Sequence, residues 1–319
     1  MIPSLGLVVA CVLVFDPILH ISASLQITDG AYYLIGISLL VLIPTVIIGY
    51  TLTALNTFIL KTFEGYVLLH RLPRLAASHQ RKAERLIEAY EKIFHEIVEL
   101  TQKKRKTSEE KARLSELKEE YYDKVSEYDQ KYPPPEAGFM PTQFGNILKA
   151  SEAYPYSRYG IDAVEFWPRL LHVIPPSYKQ NIDEARNELS FLVNMSALSL
   201  VFYAFCLIAI LSSPPSFPNP NWDLFLANSF RYILAGLVAL GLNRFFNKAA
   251  LFSVGGYGAM IRSAYDLFRL DLLEHLRLKT PRNSEEEYYI WKNLRELVNL
   301  GSESVDYKPF IYKKKVTQR

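Results

Sequence analysis

Four stretches of the chain are almost purely apolar, and they fall into two pairs. Ser4–His20 is broken near its end by Asp16 and Pro17, whereas Ala31–Leu60 is longer and carries Pro44 and Gly49 inside it. Phe191–Leu211 and Trp222–Leu242 make the second pair, joined by the proline-rich connector Ser212–Asn221. A helix needs roughly 20 apolar residues to cross a hydrocarbon core. The first run is therefore only just long enough, and the second can span with tilt. Proline and glycine inside such runs are tolerated because neighbouring groups satisfy the freed backbone.

Between the pairs the pattern becomes helical and polar. Leu86, Tyr90, Ile93, Ile97 and Leu100 recur at alternating spacings of four and three, which predicts a coiled-coil seam along one helix. The basic run Lys103–Lys106 interrupts it, and Thr107 with Glu110 reads as a capping box opening a second helix. There Leu114, Leu117, Tyr121 and Tyr128 carry the seam, with Lys124 spoiling one position, until Pro133, Pro134 and Pro135 stop it. Two helices with a short polar turn predict an antiparallel hairpin, reaching about 40 Å at 1.5 Å per residue.

The stretch Phe139–Pro176 has no long periodicity and mixes aromatic, charged and helix-breaking residues. Thr142 is placed to cap a short helix, Pro155 to end it after Tyr154, and Gly160 to make a tight turn. A second short helix is expected over Ile161–Phe166, with Pro168 bending or restarting it. Tyr154, Tyr156, Tyr159 and Trp167 suit a membrane interface, where amphipathic rings sit at headgroup level. After the fourth apolar run, Gly255, Gly256 and Gly258 form a small-residue patch that lets helices approach. Ile261, Tyr265, Phe268 and Leu272 then give one apolar face, and Arg262, Asp266 and Arg269 a paired charged face. Asn283 with Glu286 opens a last helix with Trp291, Leu294, Leu297 and Val298 inward.

Charge turns these patterns into a topology. The net charge of +3 averages two materials, because Met1–Leu60 and Ser190–Phe230 hold no Lys or Arg at all. Basic residues mark the cytoplasmic side, so Ser22–Gly30 and Ser212–Asn221 become external loops and both termini cytoplasmic. The expected fold is an all-α membrane protein with four transmembrane helices in two pairs. Its parts are a first pair (1–60), a cytoplasmic hairpin (61–138), a cytoplasmic elbow of short helices (139–189), a second pair (190–243) and cytoplasmic amphipathic helices with a basic tail (244–319). No basic flank precedes the first run, which reads as a retained span and not a cleaved signal. The tail from Tyr312 is suited to anionic lipid or to no fixed structure.

Candidate chemistry is sparse. Cys11 and Cys206 sit inside apolar runs and read as spectators, and the six histidines are scattered without a metal-binding spacing. No nucleophile or phosphate-loop motif is present, so no catalytic, metal or cofactor residue is assigned. Lys103–Lys106 is a solvated hairpin tip and not a nucleic-acid patch. The elbow supplies the candidate interaction cluster Arg158, Tyr159, Asp162, Trp167, Arg169, Arg262 and Asp266. As a pocket, Arg158 takes an anionic group, Asp162 orients it and the aromatics wall it. As an elbow, the same residues return the chain to the bilayer. Arg231, about two turns into the fourth run, is the candidate intramembrane polar group, with Asp16 or Asp223 as structural partners.

The stretches Gly145–Leu170 (GNILKASEAYPYSRYGIDAVEFWPRL) and Gly258–Leu276 (GAMIRSAYDLFRLDLLEHL) resemble a group of uncharacterised bacterial multi-span membrane proteins. The resemblance implies a bacterial inner-membrane location and contact between Arg158 or Asp162 and the helix carrying Arg262–Asp271. It carries no activity. The expected function is a non-enzymatic scaffold or sensor that presents its helical domain to a cytoplasmic protein partner or to other copies of itself. The alternative is an oligomeric channel or transporter gated by the elbow.

Overall fold

The computed structural model describes residues 2–19, 30–67, 69–212, 222–304 and 308–312. The expected external loops, Ser22–Gly30 and Ser212–Asn221, lie almost wholly outside those residues, as does the tail beyond Tyr312. The described residues are all-α, with no strand among them. In chain order the α-helices are α1 (Ile2–Leu19), α2 (Gly30–Glu64), α3 (Pro73–Gln102), α4 (Ser108–Lys131), α5 (Gln143–Tyr159), α6 (Ala163–Leu170), α7 (Pro176–Ser212), α8 (Trp222–His275) and α9 (Ser284–Leu300). They divide into two compact units, one of Met1–Thr62 with Asn187–Phe252 and one of Phe63–Arg186 with Ser253–Arg319.

In the first unit small and aromatic side chains pack inward. Phe15 stacks on Tyr232 at 5.8 Å and meets Phe202 edge-on at the same separation. Cys206, Ala209 and Ala239 complete the buried cluster, with Cys11 packed against it. Several polar residues here are satisfied locally. The hydroxyls of Thr45, Thr51 and Thr53 each donate to the carbonyl four residues back, so apolar α2 carries them without exposing donors. Asn243 donates to the Ser196 carbonyl (2.8 Å) and hydroxyl (2.9 Å), and Asn56 donates to Ser190 (3.3 Å). Many large aliphatic residues face outward, among them Leu5 and Leu13 on α1, Leu42 and Ile47 on α2, Leu200 and Ile208 on α7, Leu234 and Leu237 on α8. α2 and α7 are the two described helices long and apolar enough to cross a membrane.

The second unit begins with the last turn of α2. Gly65, at φ +99°, ends that helix, and a short 3₁₀ turn (Leu69–Arg71) precedes α3. Pro73 opens α3 at the first helical position, where its missing N–H costs nothing. α3 and α4 form the hairpin, and the capping box is present, with Thr107 and Glu110 each bonding the other's backbone N–H. At its tip Lys103 pairs with Glu110 (2.7 Å), and Lys106 donates to the carbonyls of Thr101 and Lys103. Half of the basic tetrad thus finishes one helix and starts the next. At the base, Ala83, Tyr128 and Tyr132 are buried with Leu86, Ile87 and Tyr90 against them.

The main core of this unit lies under α5 and α6. Phe166, Leu170, Tyr265, Leu273 and Trp291 are almost fully buried in one cluster, each contributing about 1.5–3 kcal/mol if its side chain leaves water completely. Phe166 meets Trp291 edge-on at 5.4 Å. Of the three clustered glycines only Gly258 serves a close approach, since a Cβ there would lie 2.2 Å from the Ser151 hydroxyl oxygen. Gly255 and Gly256 face open space.

Candidate functional site

The elbow is built by caps. The Thr142 hydroxyl accepts from the Gly145 N–H (2.9 Å) and points its proton at the carbonyls of Phe63 (2.7 Å) and Glu64 (2.9 Å). Buried Asn146 clamps the approach, donating to the Met140 and Thr142 carbonyls and accepting from the Met140 N–H. Pro155 does not end the helix: α5 runs through it to Tyr159 and stops at Gly160, which takes the left-handed conformation (φ +78°). Asp162 then caps α6 by accepting from the Glu165 N–H (3.2 Å), and α6 likewise continues past Pro168 to Leu170.

Above these caps α5, α8 and α9 share one polar network. Asp266 accepts from the hydroxyls of Tyr159 (2.6 Å) and Tyr154 (3.2 Å), so each carboxylate oxygen has a donor. The Arg269 guanidinium carbon lies 3.9 Å from the centre of the Tyr159 ring. Its Nε donates to Glu287 (2.7 Å), and its Nη1 donates to the Asp266 carbonyl. Glu287 also accepts from the Trp291 indole at 3.4 Å. The Arg269 and Glu287 side chains are 17% and 9% exposed, so the pair is largely withdrawn from water. Tyr265 donates to the Ala163 carbonyl (2.7 Å). Burial raises the pKa of Tyr159, and its bond to Asp266 adds to the rise. Burial likewise raises that of Tyr265. These phenols are proton-holding donors, and the network they form with Asp266, Arg269 and Glu287 is a clamp joining three helices.

Beside the clamp lies a groove of about 520 Å³, lined by Lys149, Glu152, Tyr156, Asp162, Tyr288 and Arg295 among others. The Arg295 guanidinium lies over the Tyr156 ring at 5.4 Å. Gly160 is pressed against Tyr288, where a Cβ would come within 2.7 Å of the ring. Burial, with the Glu64 carboxylate nearby, raises the Glu152 pKa to about 7, and Lys149 opposes the rise. No group of three or more His, Cys, Asp or Glu converges on a metal-sized point among the described residues.

The structure brings Tyr159 and Asp266 of the candidate cluster into direct contact and distributes the others. Arg158 is exposed and pairs with Asp129 on α4 (3.3 Å), lying over the Tyr154 ring. Arg169 pairs with Glu165 (3.0 Å), and Trp167 packs on Tyr265 at 5.9 Å. Arg262, expected to pair with Asp266, turns to the Ser151 hydroxyl (3.4 Å) because two tyrosines already occupy that carboxylate. The elbow does reach α8, but through Tyr154, Tyr159 and Ala163, next to Arg158 and Asp162. Tyr154, Tyr159 and Trp167, expected at a membrane interface, spend their polar and aromatic groups inside this unit. Arg231, in the first unit, donates to the Leu13 carbonyl; the side chains of Asp16 and Asp223 lie outside the described residues. Glu287 escaped the sequence reading, since its burial leaves no mark on local spacing.

The fold and site together define an all-α protein with an elbow clamped by tyrosine, aspartate and arginine. Compared with known proteins, the chain has no match: no family model, curated protein or solved structure is significantly similar to it. The resemblance to multi-span proteins therefore rests on the two quoted stretches alone.

Proposed function

We propose that the chain is an integral membrane protein of the bacterial inner membrane that works as a scaffold or sensor. In this reading α1, α2, α7 and the first half of α8 are four spans in two pairs, and the second unit faces the cytoplasm and engages a protein partner or other copies. The observation that supports it is the outward-facing aliphatic surface. Only 11% of the most apolar stretch of α2 and 22% of that of α7 is buried, whereas the core helix of a water-soluble protein is mostly buried.

Two measurements test this reading. The full-length chain should stay in the membrane fraction after alkaline carbonate washing, and cysteines placed on the hairpin should be shielded from an impermeant thiol reagent in intact cells. Extraction into the aqueous phase would sink the membrane assignment, and labelling from outside would sink the orientation. Particle mass in detergent, or co-purification of a defined partner, should change when the α3–α4 hairpin is shortened. No change in either would sink the scaffold role.

A second reading, an oligomeric channel or transporter, is favoured by one feature. Asn56, Ser190 and Asn194 meet inside the apolar unit, and the Asn194 side-chain oxygen is buried without a hydrogen-bond partner. Ion flux in proteoliposomes that is lost in Asn194→Ala with assembly unchanged would move the assignment to a pore.

A further inference from the structure

The end of α2 is seated on α5 with little clearance. A Cβ at Gly145 would come 2.2 Å from the Glu64 carbonyl oxygen, and one at Gly65 would come 2.4 Å from the Pro141 ring. Phe63 meets Phe144 edge-on at 6.1 Å, and the Thr142 hydroxyl closes the last two carbonyls of the helix. The negative C-terminal pole of α2 thus meets the positive N-terminal pole of α5. Glu64 is the terminal residue of α2, so its carboxylate stands at the pole where negative charge is least favoured. Gly145, Lys149 and Glu152 follow one another at helical spacing on a single face of α5. Glu152 therefore lies two turns above the contact, on the seated face.

We propose that Glu64 and Glu152 form a proton-operated latch, in which a protonated Glu152 keeps the last turn of α2 seated on α5 and an ionised Glu152 loosens it by repulsion. The surroundings suit this. Glu64 and Tyr66 face Glu152 from the α2 end, Tyr257 and Tyr265 from α8, and Lys149 from its own helix. Asp183 and Arg186 on α7 act on Tyr257, as Glu152 does. Glu136, Asp162, Arg295, Tyr156 and Tyr288 share its groove. Lys149 is the cation that opposes the rise, and burial outweighs it, holding the transition near pH 7.

The test is hydrogen exchange on the full-length protein in detergent, expressed as protection factors so that the intrinsic pH dependence cancels. Protection over residues 63–66 and 143–148 should fall about tenfold between about pH 6 and about pH 8. Glu152→Gln should keep the high value at both pH values, and Glu64→Gln should move the midpoint to lower pH. Equal protection at both pH values in the unmodified chain overturns the proposal, as does an unmodified drop in Glu152→Gln. Should Glu152→Gln fail to fold, an unmoved midpoint in Glu64→Gln overturns it alone.

Discussion

The guanidinium carbon of Arg269 stands 3.9 Å from the centre of the Tyr159 ring, while the hydroxyl of that ring donates to Asp266 at 2.6 Å. One aromatic side chain is thus held face-on by a cation and at its tip by an anion, both from α8. Arg269 is also ion-paired to Glu287 of α9, so three helices are joined through two residues one turn apart. Removing one partner of a largely buried pair leaves a charge without compensation, at a cost of about 3–5 kcal/mol. Arg269→Ala and Glu287→Ala should each lower the unfolding midpoint by that route. A double substitution by apolar residues of similar volume should cost less than the sum; thermal unfolding of the detergent-solubilised chain gives the comparison.

Arg158 and Asp162 should part company. The Arg158–Asp129 pair is exposed, so Arg158→Ala should change stability by less than about 1 kcal/mol. Asp162→Ala removes the N-cap of α6 and should cost about 1 kcal/mol. Equal losses in chemical denaturation would contradict the structure.

The glycines after the fourth apolar run should divide as well. Gly258→Ala pushes a methyl group against the Ser151 hydroxyl and should destabilise by about 1–3 kcal/mol. Gly255→Ala enters open space within the same helix and should stabilise by about 0.5–1 kcal/mol. Unfolding midpoints measured side by side decide it.

Stability should fall as pH rises through the range where Glu152 titrates. Its carboxyl has an ordinary value of 4.5 and a folded value of about 7, so between the two the folded chain binds a proton that the unfolded chain has released. Folding is then linked to protonation. The contribution is complete below 4.5, declines as pH climbs to about 7, and is gone above it. Glu152→Gln should flatten that slope in a pH series of unfolding midpoints.

Ile47 separates lipid from water as the surroundings of α2. Its side chain is 60% exposed. In water, Ile47→Lys would be nearly silent, whereas at the centre of a span it should cost about 3 kcal/mol of insertion free energy. A clear drop in membrane-inserted yield is the expected outcome, and unchanged yield would place this face in water.

The parts of the fold that could be read from sequence are those decided within one or two turns. Thr107 with Glu110, Thr142 with Gly145, and Asn283 with Glu286 all cap helices as their spacing predicts. The aliphatic blocks likewise announced the apolar helices. Pro155 misled, because a proline's local penalty is small beside the packing of Phe144, Ile147 and Ala150 in α5. Asp266 misled for the opposite reason. Its i−4 neighbour Arg262 was visible, but the tyrosines that claim it come from 107 and 112 residues away. The Arg269–Glu287 pair and the partly buried carboxylate of Glu152 are likewise products of tertiary approach, on which local periodicity is silent.

The two clusters of the second unit also differ in when they can form. Ala83, Tyr128 and Tyr132 pack with Leu86, Ile87, Tyr90 and Phe139, all within one continuous segment. Closing so short a loop is fast and costs little entropy. The cluster of Phe166 and Tyr265 is incomplete until Trp291 and Leu294 have been made. During vectorial synthesis the hairpin therefore has every partner it needs while the elbow still lacks α8 and α9. A ribosome paused between α7 and α8 would display a finished hairpin on a chain whose clamp does not yet exist.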